Sequence, residues 1–216
     1  MGMHLQAGPE FGNDTHHMVL WTKQTFEGDV KIEFDYTRTD NETKAVNILY
    51  IQASGKGEGD YAEDIFEWNQ LREVPSMRNY FNNMKALHIS FAAFPNDEET
   101  QDYVRARRYP ITAERGFGQL EIPPTYFDTD LFKPWVSYKI TIIKTDENLF
   151  FKVVGDGLTK LYSWDTSNLS PLTEGRIGLR HMYTRSAIYK DFKVYVKKYL
   201  DKPIDYKKHG GKVYTW

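Results

Sequence analysis

The stretch VKIEFDYT, residues 30–37, sets Val30, Ile32, Phe34 and Tyr36 on every second position, with Lys31, Glu33, Asp35 and Thr37 between them. Side chains of an extended strand point alternately to its two faces, so this order predicts one apolar and one solvated face. A helix would scatter the same residues around its circumference. The alternation predicts a half-buried strand.

The same period recurs along the chain, in segments rich in β-branched and aromatic residues: 16–22, 45–53, 86–94, 103–109, 135–144, 148–154, 159–164, 175–182 and 187–197. Turn residues separate them, as in Glu27-Gly28-Asp29, Gly55 to Gly59, and Gly155-Asp156-Gly157. One segment, Tyr61 to Arg78, carries Ile65, Trp68 and Leu71 at helical spacing until Pro75, and is expected to lie as a helix over one sheet. Asn96 to Gln101 and Ile122 to Lys133 are expected to be loops. The result is an all-β sandwich in a single domain, residues 1–200, followed by a basic C-terminal extension, 201–216.

Composition narrows the function. The charge balance, 28 Lys+Arg against 30 Asp+Glu, gives no global pull toward nucleic acid or a membrane surface. With no cysteine there is no disulfide, thiolate metal site or Cys nucleophile. No apolar run approaches the roughly 20 residues that span a bilayer, and the opening MGMHLQAGPEFGND has no signal-like apolar stretch. Aromatic residues make up 15% of the chain, with 15 Tyr and 5 Trp. Rings with a flat apolar face and a polar tip suit sugar binding and half-buried strands alike.

The segments HHMVLWTKQTFEGDVKIEFDY, KALHISF, YVRARRYP with ERGFGQL, and EGRIGLRHMYTRSAIYKDFKVY resemble, in that order, the YesU-like family of bacterial proteins, a domain-of-unknown-function family. The resemblance extends from His4 to Val196. It implies a concanavalin/galectin-like jelly roll and, through the association of such proteins with pectin and acidic-polysaccharide breakdown, a carbohydrate substrate. A periplasmic or secreted location is expected, with the cytoplasm as the alternative. The fold alone leaves lyases, hydrolases and lectins open.

Strand alternation selects candidate residues. His17, Val19 and Trp21 share a face, as do His88, Ser90 and Ala92 on another strand. Tyr103, Arg105, Arg107 and Tyr109 lie on one side of theirs, opposite Val104 and Ala106, and Tyr50 is expected to project together with Gln52. In GRIGLRHMY, alternation sets Arg176, Arg180 and Met182 opposite Ile177, Leu179 and His181, with Asp191 as a partner for Arg180. Guanidinium forks match carboxylates bidentately.

Such a set suits β-elimination on a uronic acid. A cation holds the carboxylate and stabilises the enolate-like charge, while one group removes the C5 proton and another protonates the leaving oxygen. The set resembles that of jelly-roll alginate lyases, in which a His, a Tyr, an Arg and a Gln or Asn cooperate. The expected acid/base residues are His88, Tyr109, Tyr183 and His17. Arg105, Arg107, Gln52, Tyr50, Trp21, Arg180 and His181 are expected to bind an acidic oligo- or polysaccharide. No metal ligand set or required cofactor is expected; a structural Ca²⁺ in the acidic loop Asp60 to Asp64 fits the fold class. A non-catalytic carbohydrate-binding protein is the alternative. A glycoside hydrolase ranks third, its nearest carboxylate pairs being Glu33 with Asp35 and Asp64 with Glu67.

Overall fold

The computed structural model describes residues 2–68, 70–96 and 101–197. The predicted extension, 201–216, lies outside the described residues. Twelve strands follow in chain order: β1 (Met3–Gln6), β2 (Met18–Glu27), β3 (Val30–Arg38), β4 (Asn47–Gly55), β5 (Met84–Ala93), β6 (Tyr103–Tyr109), β7 (Glu121–Phe127), β8 (Ser137–Lys144), β9 (Asn148–Gly155), β10 (Leu158–Asp165), β11 (Glu174–His181) and β12 (Ser186–Val196). The helix α1 (Met77–Asn83) precedes β5. Among the described residues, no helix is long and apolar enough to cross a membrane.

The strands form two six-stranded antiparallel sheets, ordered β1-β12-β3-β8-β9-β10 and β2-β11-β4-β5-β6-β7. Neighbours distant in sequence, such as β2 beside β11 and β3 beside β12, make this a β-sandwich of jelly-roll type. The 30–37 stretch behaves as its alternation requires: Val30, Ile32, Phe34 and Tyr36 are buried between the sheets with Ile89, Phe91, Ile140 and Phe151. Each such side chain contributes about 1.5–3 kcal/mol by leaving water.

Two strands were not expected. β1 is a four-residue edge strand in which only Leu5 is buried, too short for a period to show. β7 occupies part of the expected loop Ile122 to Lys133. It contains Pro123 and Pro124, which β7 tolerates because it lies at the edge of its sheet, where a missing N–H costs no ladder bond. The expected helix over 61–78 is instead two short 3-10 turns, at Ile65–Glu67 and Gln70–Arg72, with α1 only after Pro75. Its expected location is observed. Residues 56–68 and 70–83 form a strap over the outer face of the second sheet, burying Ile65, Trp68 and Tyr80 against Ile48, Tyr50 and Ala86.

Three bulges break the alternation where a non-glycine residue takes a positive φ: Gln52 (48°), Ala92 (44°) and Asp191 (51°). A bulge adds one residue and reverses the faces beyond it. Ala92 consequently packs in the interior, not beside His88 and Ser90, while Ala93 takes the outer face. Gln52 likewise does not project with Tyr50; its amide donates to the carbonyls of Phe26 (3.0 Å) and Gly28 (2.8 Å), holding the β2–β3 turn. Gly175 accommodates this bulge, since a Cβ there would lie 2.3 Å from the Gln52 carbonyl carbon.

Candidate functional site

Backbone register assembles the site on the outer face of the second sheet. One row of cross-strand neighbours runs Trp21, Gly178, Tyr50, His88, Arg107 and Glu121 across all six strands. The next runs Val19, Arg180, Ile48, Ser90 and Arg105. Residues from six strands, spread from β2 to β11 in the chain, thereby become neighbours.

Along the first row the rings stack. Trp21 lies on Tyr50 (centroids 5.3 Å apart), Tyr50 on Tyr80 (5.9 Å) and on His88 (5.9 Å). Gly178 makes room for this, because a Cβ at that position would meet the Trp21 ring at 2.3 Å. The ring of Tyr109 closes on His88 at 4.7 Å. Beside them, Arg107 stacks over Phe117 (4.9 Å) and Arg105 over Tyr103 (4.4 Å). The expected common face of Tyr103, Arg105, Arg107 and Tyr109 is therefore observed.

Above the second row opens a cleft of about 220 Å³. Its floor includes Ile48, Ser90, Arg105 and Arg107, and Met77 and Phe81 of α1, Phe117, and Phe94 to Asn96 form its walls. His88 and Tyr109, 1% and 0% exposed, do not line the cleft; His88 is paired across strands with Arg107, which does. Both ring nitrogens of His88 and the Tyr109 hydroxyl are buried without a hydrogen-bond partner. Unsatisfied buried groups cost about 1–3 kcal/mol each, so their concentration next to Arg107 marks a place where the fold gives up stability.

Burial also fixes their protonation. It lowers the His88 pKa well below the usual histidine range, and the charges of Arg107, Arg105 and Arg180 lower it further, so the imidazole is neutral. Burial raises the Tyr109 hydroxyl well above the usual range, with neighbouring Tyr50 acting in the same direction, so the phenol keeps its proton. A neutral base and a protonated acid stand side by side.

Several expected site residues serve other ends. His17 stacks on Tyr183 (4.6 Å) and faces Arg180 Nη2 through Nδ1 at 2.5 Å; burial and then Arg180 hold its pKa at about 4. Like His88 and Tyr109, neither His17 nor Tyr183 lines the cleft; these two pack on each other and His17 on Arg180. Arg180, fully buried, donates to the Pro75 carbonyl and fastens the strap; its expected partner Asp191 lies on the other sheet. Tyr50 is fully buried and Trp21 is layered against it under the strap, so these two pack the site from behind and offer no surface platform. His181 points into the interior, where its Nε2 meets the Tyr189 hydroxyl (2.8 Å) and its Nδ1 the Arg185 carbonyl (3.3 Å). Alternation had already put it on the face opposite Arg180. Gln52, as described, sits at the β4 bulge and holds the β2–β3 turn.

Residues not expected complete the site. Glu121 and Thr125 of β7 take Arg105: Nε donates to Thr125 Oγ1 (2.9 Å) and lies 3.0 Å from Glu121 Oε2. A strand read as a Pro-containing loop offered no alternation by which to find them. Asn96 and Phe117 come from connections, where no period applies.

The acidic loop does not fit a Ca²⁺ site. Both carboxylate oxygens of Asp64 are occupied by Arg176, at 2.6 Å each, and among the described residues no three His, Asp or Glu side chains are grouped to hold a metal. The carboxylates considered for hydrolysis are also engaged elsewhere: Glu33 with Lys31 (3.2 Å), Asp35 with Lys139 (3.6 Å) and Asp64 with Arg176.

Comparison with known proteins agrees with the architecture. A family model described as "Domain of unknown function (DUF1961)" matches residues 2–194. The uncharacterized protein YesU of Bacillus subtilis (strain 168) is 27% identical over 190 residues, covering 84% of this chain and 78% of that protein. Among solved structures, a Bacillus subtilis protein of unknown function with a galectin-like fold superimposes with a TM-score of 0.61 at 22% identity, covering 89% of this chain and 88% of that one. The exoplasmic/lumenal domain of VIP36, in its Ca²⁺- and Man3GlcNAc-bound form, gives 0.59 at 11% identity (96% and 90%). A legume lectin-like domain from Entamoeba histolytica gives 0.56 at 8% identity (90% and 84%). The sandwich is thus a galectin- and legume-lectin-like jelly roll, and the chain belongs to the DUF1961 family.

Proposed function

We propose that the cleft takes an acidic saccharide and that Arg107, His88 and Tyr109 at its side carry out β-elimination on a uronate ring. The observation that carries this reading is the pair His88 and Tyr109: a neutral imidazole and a protonated phenol, both without polar partners, next to Arg107. Lectin-like neighbours solved with bound sugars, mannose in one case and galactose in another, support a saccharide as the ligand class.

In this reading Arg107 holds the uronate carboxylate and stabilises the charge that builds on it as C5 loses its proton. His88 accepts that proton. The C5–H electrons become the C4=C5 double bond, the C4–O bond breaks, and Tyr109 gives its proton to the departing oxygen. Transfer of a proton from the imidazolium to the phenolate restores both groups. The leaving oxygen belongs to a neighbouring sugar in a lyase and departs as water in a dehydratase.

A second reading, saccharide binding without chemistry, is favoured by the burial of His88, which is 1% exposed and not part of the cleft lining. One experiment separates the two. Uronate-containing oligosaccharides are titrated calorimetrically while ultraviolet absorbance from the conjugated, unsaturated uronate is followed. Heat with rising absorbance is the outcome expected of elimination. Heat without absorbance on any acidic glycan sinks elimination and leaves binding; neither signal sinks both.

A further inference from the structure

The two arginines at the cleft are not equivalent. Arg105 is engaged: its Nε reaches Thr125 Oγ1 at 2.9 Å and Glu121 Oε2 at 3.0 Å, its guanidinium lies over Tyr103, and Thr125 in turn donates to the other Glu121 oxygen. Arg107, two residues on, lies 4.0 Å from the same carboxylate, and its buried Nε has no partner. Glu121 itself is about one-third exposed and stands opposite Arg107 on the edge strand. One carboxylate is thus set against two guanidinium groups, leaving the trio with one net positive charge beside the cleft.

We propose that Glu121 is an internal competitor that occupies Arg105, leaves Arg107 as the anion receptor, and so limits the cleft to ligands carrying a single carboxylate. This rests on the acidic-saccharide reading. A ligand carboxylate and the Glu121 carboxylate draw on the same pair of cations, and a net charge of +1 matches one uronate better than a uronate that also bears sulfate. Thr125 keeps the Glu121 side chain in place for this role. Arg105 is in these terms a reserve cation, made available only when the Glu121 carboxylate is removed.

The test is calorimetric binding of three probes, a neutral galacto-oligosaccharide, an oligogalacturonide and a sulfated uronate oligosaccharide, to the full chain and to Glu121→Gln. The variant is expected to bind the oligogalacturonide about fivefold more tightly and the sulfated probe with a larger gain, the neutral sugar being unaffected. Adding Arg105→Met to Glu121→Gln is expected to erase the gain, since the gain comes from the freed Arg105. If the unaltered chain binds oligogalacturonide but Glu121→Gln binds it no better, or the gain survives Arg105→Met, the competitor role is overturned while the saccharide reading stands. If the unaltered chain binds no acidic probe, the saccharide reading falls and takes this one with it.

Discussion

His88 and Tyr109 lie with ring centroids 4.7 Å apart, one on β5 and the other on β6, offset by two residues in the register that pairs His88 with Arg107 and Ala86 with Tyr109. Neither nitrogen of the one nor the hydroxyl of the other meets a protein partner. That arrangement has an energetic signature, because removing an unsatisfied buried hydroxyl does not break a hydrogen bond. Tyr109→Phe is expected to leave unfolding free energy unchanged or raise it by up to about 1 kcal/mol, while reducing elimination at least about 100-fold. Chemical denaturation and the absorbance assay check the two halves. A variant that loses more than about 1 kcal/mol would mean that Tyr109 is a structural donor.

Gly178 is expected to resist the smallest substitution. Its absent Cβ is the space occupied by the Trp21 ring, at 2.3 to 2.8 Å, and that ring is in turn layered on Tyr50. Gly178→Ala should cost about 2 kcal/mol and shift tryptophan fluorescence, with part of the cost recovered when Trp21→Leu is added. A free energy unaltered by Gly178→Ala would show that the stack can move aside at no cost.

Stability is expected to fall in mild acid. Burial and a neighbouring arginine hold His17 at about 4 and His181 at about 3, against 6.5 in the unfolded chain. Between these values the unfolded state binds protons that the folded state does not. The contribution of each histidine is therefore complete above pH 6.5 and declines as pH falls toward its folded value, by roughly 3 kcal/mol for His17. Urea denaturation from pH 7.5 to 4.5 should show the decline, and His181→Asn should make the slope shallower. An identical slope in that variant would remove His181 from the account.

Asp40 joins two buried guanidinium groups, at 2.8 Å from Arg38 Nε and 3.2 Å from Arg185 Nε, and also accepts from the Ser186 amide at 2.7 Å. These charges together hold its carboxyl below the usual range against the opposing effect of burial. Asp40→Ala leaves both arginines buried and unpaired, and is expected to cost about 3–5 kcal/mol. Thermal and urea unfolding measure it. A cost under about 1 kcal/mol would show that solvent reaches the cluster.

The class of fold was legible because a strand with one buried face writes its period into the sequence, as residues 30–37 do. The same logic put Arg105 and Arg107 together on one side of β6, and His88 and Ser90 together on β5. It failed at Gln52 and Ala92, where a bulge adds one residue and reverses the count, and at β7, whose prolines are acceptable only because the strand lies at an edge. Nothing in an alternating pattern announces either condition.

What the sequence determined by itself was thus local: strand existence, the face on which each side chain lies within a regular strand, and an outer surface rich in rings and guanidinium groups. Tertiary structure decided which strands are neighbours. Cross-strand register placed Tyr50, His88, Arg107 and Glu121 in one row, brought Tyr109 against His88, and paired Glu121 with Arg105. It also sent His17, Arg180 and His181 to structural tasks, because a side chain's role depends on the partners that long-range pairing supplies, and those partners lie up to 163 residues away.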